Sequence, residues 1–208
     1  MKKSFFKLLA AYAPTSQNKA SYDEHVSKYV ERLGVEEINI DNGLFSKLFQ
    51  KFSSQPHSII LSGSAGDGKT YLLRKLYEQI KGDTADWGDT YIPEATFNDY
   101  KIKFIKDFTE IEKEDKQTVL EGLYHSIFED SIQLYIIAAN DGILTDTLRE
   151  TIHAGNIQHF KELLTLIEKH IDDPYTLDGN LILLDLSQTS SAKNFELLLN
   201  TILDMADI

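Results

Sequence analysis

Cysteine is absent from all 208 residues, which excludes disulfides and thiolate metal sites and leaves nothing that points to secretion. Arginine is almost absent as well: Arg32, Arg74 and Arg149 are the full set. Acidic residues outnumber Lys and Arg by 33 to 21, for a net charge of −12. A nucleic-acid grip needs clustered positive charge, so no direct nucleic-acid contact is expected from this segment. The first 13 residues mix lysines with apolar side chains, but Lys7 interrupts the run. The stretch after Lys7 is too short and too polar for a signal core or a membrane span. An amphipathic helix is the expected form, no membrane partner is expected, and the expected location is the cytoplasm. The six histidines show no pairing at metal-ligand spacing, and His153 and His170 read as ordinary helix-end residues.

Against these absences stands one complete motif. Gly63, Ser64, Ala65, Gly66, Asp67, Gly68, Lys69 and Thr70 spell G-x-x-x-x-G-K-S/T. The apolar run at 58–62 precedes it and helical periodicity begins at Tyr71, the strand–loop–helix setting that the pattern requires. Glycines let successive backbone N–H groups turn inward around a polyphosphate, where a Cβ would block the approach. Lys69 can then reach the β- and γ-phosphates, the Thr70 hydroxyl can bind Mg²⁺, and the next helix offers its N-terminus to the anion. ATP and Mg²⁺ are the expected ligands. An Asn-Lys-x-Asp guanine signature is missing, which favours ATP over GTP.

Periodicity predicts helices near 4–12, 21–33 and 43–53 before the loop. After the loop helix, residues 82–89 read as a solvated acidic turn, and 90–97 as a short strand weakened by Pro93. Clearer strands are expected at 102–107, 132–139 and 181–185, the last two being the near-continuous apolar runs of covered parallel strands. Helices are expected near 113–129, 144–153 and 157–171, with a helical tail from 192. Alternating strands and helices imply an α/β fold with a parallel sheet. The expected organisation is an N-terminal helical segment over 1–55, a P-loop nucleotide-binding core over 56–190, and a C-terminal helix over 191–208.

Hydrolysis needs more than the loop. An acidic residue ending a neighbouring strand must hold Mg²⁺ and position water. Asp107, Asp141 and Asp185 each end a strand, and the order of elements favours Asp107 as the partner of Thr70 at the metal. Each also has a plainer reading: Asp107 as a strand-end turn residue, Asn140-Asp141-Gly142 as a turn, Asp185 as a loop residue.

From Ile102 to Arg149 the chain resembles the core of AAA+ ATPases, on a strand ending in Asp107, a helix, a strand ending Ile136-Ile137-Ala138-Ala139-Asn140-Asp141, and a short helix carrying Arg149. The resemblance extends over about 56–190. It implies that Asn140 orients the attacking water, that Arg149 reaches a neighbouring subunit's site, and that the chain self-associates or works with a partner protein. Two features depart from the family. Phe108 stands where it has a glutamate, with Glu110 as the candidate substitute, and the spacing from Lys69 to Asp107 is short. Weak hydrolysis or a switch role is therefore expected. The loop taken together with Ile137-Ala138-Ala139-Asn140-Asp141-Gly142-Ile143-Leu144 also resembles ATPase components of prokaryotic anti-phage systems, such as the ATPase subunit of phosphorothioation-dependent DNA restriction. Those proteins are larger, which implies the N-terminal part of a longer protein whose lid lies beyond residue 208. Two alternatives stay open: a non-hydrolysing nucleotide-sensing scaffold, and a P-loop small-molecule kinase, which three arginines fit poorly.

Overall fold

Near-continuous apolar runs cannot leave either face in water, and here they form adjoining strands of a five-stranded sheet. The computed structural model describes residues 30–34, 38, 43–155, 158–172, 180–188 and 191–206. Its strands are β1 (Ser58–Ser62), β2 (Glu94–Phe97), β3 (Tyr100–Ile105), β4 (Gln133–Ala138) and β5 (Leu181–Asp185). They lie in the order β2-β3-β4-β1-β5. β1 pairs in parallel with both β4 and β5, and β3 pairs in parallel with β4. Every residue of β1 is buried. The chain is α/β with a mostly parallel sheet.

The exception is β2, which runs antiparallel to β3. Only Asn98 and Asp99 separate the two, and a parallel crossover needs a dozen or more residues. So short a link permits only a hairpin. Asn98 takes φ 52° in it, a conformation that asparagine adopts more readily than most residues. The strand begins after Pro93, whose missing N–H is thereby kept off the ladder.

The helices are α1 (Leu44–Ser54), α2 (Lys69–Lys81), α3 (Lys113–Phe128), α4 (Asp141–Gly155), α5 (Gln158–Asp172) and α6 (Ser191–Ala206). Helical periodicity placed α3 and α5 to within a residue. α4 starts at Asp141, ahead of the expected 144, because Asn140 Oδ1 accepts the Gly142 N–H at 3.0 Å and caps the helix. The strand expected to reach Asp107 stops at Ile105; Asp107 Oδ1 accepts the Thr109 N–H at 2.8 Å and opens a 3-10 turn over Phe108–Glu110.

Two compact units emerge: Phe45–Gln188, and Met1–Leu44 with Thr189–Ile208. The helices expected at 4–12 and over most of 21–33 lie outside the described residues, so the N-terminal helical layer does too; residues 30–33 are helical. The expected boundary at residue 55 put α1 with the N-terminal segment, whereas nearly all of α1 falls in the sheet unit. Phe52 is fully buried and its ring centroid lies 5.3 Å from that of Phe97 on β2. The described tail helix α6 belongs to the other unit.

Inside the sheet unit, β1, β4, β5, α3, α4 and α5 share one core that includes Ile60, Phe108, Leu123, Ile137, Leu148 and Phe160. Buried hydroxyls tie its layers: Ser58 and Ser126 Oγ atoms lie 2.6 Å apart, and Ser58 Oγ accepts the Tyr135 N–H at 2.9 Å. The turn after α2 leaves Asp83 and Asp89 exposed, as expected of a solvated acidic turn, but not all of it is in water. Trp87 is buried, packed 5.1 Å from Tyr77 and 6.4 Å from Phe104 by ring centroid. Tyr77 Oη donates to Asp86 at 2.6 Å, and Lys81 pairs with the same carboxylate. Among the described residues, no helix is long and apolar enough to cross a membrane.

Candidate phosphate-binding site

Residues 63–68 connect the C-terminal end of β1 to the N-terminus of α2. Three glycines make the turn possible, with φ of 135° at Gly63, 89° at Gly66 and 85° at Gly68. L-residues rarely adopt such angles, whereas glycine does so at no steric cost. Gly68 is the N-cap of α2 and supplies no side-chain cap. The first-turn N–H groups of α2 therefore lack the usual side-chain acceptor and point out at the positive end of the helix dipole. Residues 64–68 are exposed and Gly63 is buried.

Two side chains close the loop on itself. Lys69 Nζ donates to the carbonyls of Gly63 at 3.0 Å and Ser64 at 2.7 Å, which holds the ammonium over the loop. The Asp67 carboxylate accepts the Ser64 N–H, showing that this amide is aimed where an anion can take it. Gly63 has no room for a side chain, since an added Cβ would sit 2.7 Å from Asp67 Oδ2 and 3.3 Å from the Ser187 backbone nitrogen. Gly63→Ala is therefore expected to break the Asp67–Ser64 contact. It should cost about 1–3 kcal/mol, the usual scale for a forced backbone conformation. Chemical denaturation checks it; an unchanged midpoint would show that the loop relaxes freely.

The three strand-end carboxylates occupy different positions. Asp185 ends β5 in register with Ser62, the last residue of β1, and its Oδ1 accepts both the Ser187 N–H at 2.9 Å and the Ser187 hydroxyl at 2.7 Å. Asp141 opens α4 just past β4, on the other flank of β1. Burial pushes the Asp141 carboxyl above its ordinary range and the nearby Asp185 charge adds to this, while the Ser62 hydroxyl and Lys69 oppose it. The Ser62 hydroxyl is itself buried without a hydrogen bond of regular geometry, so its influence on Asp141 is one of proximity and not of a made bond. Asp107 follows β3, which is separated from β1 by β4.

The remaining expected site residues are Asn140, Glu110 and Arg149. Asn140 is exposed, with its carbonyl committed to the α4 cap. Glu110 is exposed at the end of the 3-10 turn, and Phe108 is fully buried beside it. Arg149 pairs within the chain, through Nη1 to Asp146 at 3.0 Å and Nη2 to Glu168 on α5 at 2.7 Å. Ser62 was not picked out from the sequence; its only signal was a polar residue ending an apolar strand. Among the described residues, no group of three or more His, Asp or Glu side chains is placed to hold a metal ion. No protein-family model matches the chain, and no curated protein or solved structure matches it.

Proposed function

We propose that the loop at 63–70 binds the phosphates of ATP and that the chain is a nucleotide-gated, AAA+-like module with weak hydrolysis of its own. The observation that carries this reading is the loop's conformation. Positive-φ glycines, an uncapped helix N-terminus and Lys69 folded over the loop carbonyls converge at the end of a central parallel strand. Backbone amides and a lysine so arranged suit a polyphosphate. Mg²⁺ fits the same place: Thr70 stands at the second position of α2, and with nucleotide present Mg²⁺ needs only one or two protein carboxylates, because phosphates and water supply the rest. When bound, the ion would neutralise charge on the transferred phosphoryl group. Isothermal calorimetry with ATP, GTP and Mg²⁺ tests the assignment, and no binding of either nucleotide would refute it.

A non-hydrolysing sensor is the second reading, favoured by Phe108. The position that carries a glutamate in AAA+ ATPases is occupied here by a fully buried ring. The kinase reading has no such support, and the three arginines of the chain argue against it. The larger setting we propose is a prokaryotic defence-system ATPase.

Arg149 decides whether assembly matters. Its partners Asp146 and Glu168 are exposed, and such pairs contribute only about 0–1 kcal/mol, so release toward a neighbouring subunit costs little. ATPase rate per chain is expected to rise with protein concentration, and Arg149→Ala is expected to flatten that rise. A concentration-independent rate above about 1 s⁻¹ that survives the substitution excludes both the assembly requirement and the arginine's role.

A further inference from the structure

We propose that α6 pairs with the α6 of a second copy of this chain, antiparallel and about a twofold axis at Leu199. Among the described residues six large apolar side chains are exposed: Tyr91, Phe128, Ile132, Phe195, Leu199 and Leu203. Three of them belong to this one helix, with Phe195 65%, Leu199 45% and Leu203 36% exposed. Single apolar residues scattered over a surface are ordinary, whereas a contiguous apolar patch marks a contact. Steps of four residues put these three on one face of a helix, one above the other. Beside the stripe runs an exposed polar row of Lys193, Glu196, Asn200 and Asp204. The rest of the helix carries the half-buried Asn194, Leu197, Leu198, Thr201 and Ile202. The side of α6 that is shielded within the chain is therefore not the side that carries the stripe.

A second copy fits this face because the face is complementary to itself. Phe195 and Leu203 stand four residues to either side of Leu199. When two copies run antiparallel with their Leu199 side chains facing, each Phe195 meets the partner's Leu203. The polar rows then lie along the same flank of the pair. The end that carries Lys193 comes beside the partner's end that carries Asp204, so unlike charges are neighbours. Antiparallel packing also sets the positive end of each helix dipole beside the negative end of the other. The same patch serves both copies, so the contact closes at two. With one helix from each side it is small, and interfaces of that size are weak and transient.

Sedimentation of the whole chain without nucleotide, from about 1 µM to 1 mM to span weak complexes, is expected to show a monomer–dimer equilibrium. Leu199→Glu should leave monomer across that range, because it sets two carboxylates face to face at the axis. Leu199 is exposed, so this variant is expected to melt like wild type. The chain contains no cysteine, and an introduced thiol therefore reports the axis directly. Leu199→Cys should cross-link to a covalent dimer under a mild oxidant, since facing positions on packed helices come within the ~7 Å Cα separation that a disulfide spans. Phe195→Cys should not, because its two thiols would lie about 12 Å apart along the helices. A chain that stays monomeric at every concentration overturns the proposal and leaves the stripe to a different protein. A dimer that persists in Leu199→Glu overturns it as well, since the contact would then lie elsewhere. Cross-linking through position 195 as readily as through 199 would overturn the antiparallel arrangement. The pairing needs no nucleotide, so these outcomes leave the phosphate-loop reading to its own calorimetric test.

Discussion

Lys69→Ala is expected to weaken ATP·Mg²⁺ binding by roughly 10²- to 10⁴-fold while leaving the fold intact. The ammonium already has its place without ligand, 3.0 Å from Gly63 O and 2.7 Å from Ser64 O, so little ordering is needed when phosphate arrives. Hydrogen bonds to charged groups contribute about 1.5–3 kcal/mol each. Two such contacts to phosphate oxygens give about 3–6 kcal/mol, which corresponds to that loss of affinity. Stability should change little, because the loop at 64–68 is exposed and water can replace the ammonium at the Ser64 carbonyl. Calorimetry against ATP and a thermal melt check the two halves separately. Affinity within threefold of wild type would remove the phosphate-loop assignment. A collapsed melt would mean that Lys69 holds the fold together.

Phe108→Ala should cost about 3–5 kcal/mol, the range for deleting a buried aromatic ring. Phe108 has no solvent exposure and belongs to the core shared by β4, α3 and α5. With total stabilities near 5–15 kcal/mol, a loss of that size lowers the melting midpoint by about 6–20 °C. Phe108→Glu, which installs the residue that the proposed AAA+ likeness would have here, should be no better tolerated. Its carboxylate would enter an apolar site at a desolvation cost of several kcal/mol. Lys116, whose Nζ lies 5.4 Å from the Phe108 ring centroid, can offset only part of it. Denaturant unfolding of both variants, with ATPase rates alongside, provides the check. A stable Phe108→Glu protein with faster hydrolysis would show that the ring holds a latent catalytic position.

The sheet strands and the helices between them were legible because burial on both faces forces continuous apolar runs, and burial on one face forces helical periodicity. Strand direction at β2 was not, since it depends on a link of only two residues at Asn98 and Asp99. Nor was the fate of the turn at 82–89. Its aspartates read as solvated, and Asp83 and Asp89 are exposed, but Trp87 packs against Tyr77 and Phe104, a meeting that no local pattern records. The capping role of Asn140 was also not legible: it read as a turn or a water-positioning residue, and its side chain opens α4.

By itself, the sequence determined the loop. Glycines at 63, 66 and 68 are needed wherever the backbone must take positive φ, and the lysine just after them can reach back over the turn, because both are properties of a few consecutive residues. How far each strand-end carboxylate lies from the loop strand was decided only by tertiary structure. Asp107, Asp141 and Asp185 look alike as strand-end aspartates. They differ in how many strands lie between each of them and β1, and that number depends on the order β2-β3-β4-β1-β5, set by long-range pairing of runs that are almost equally apolar.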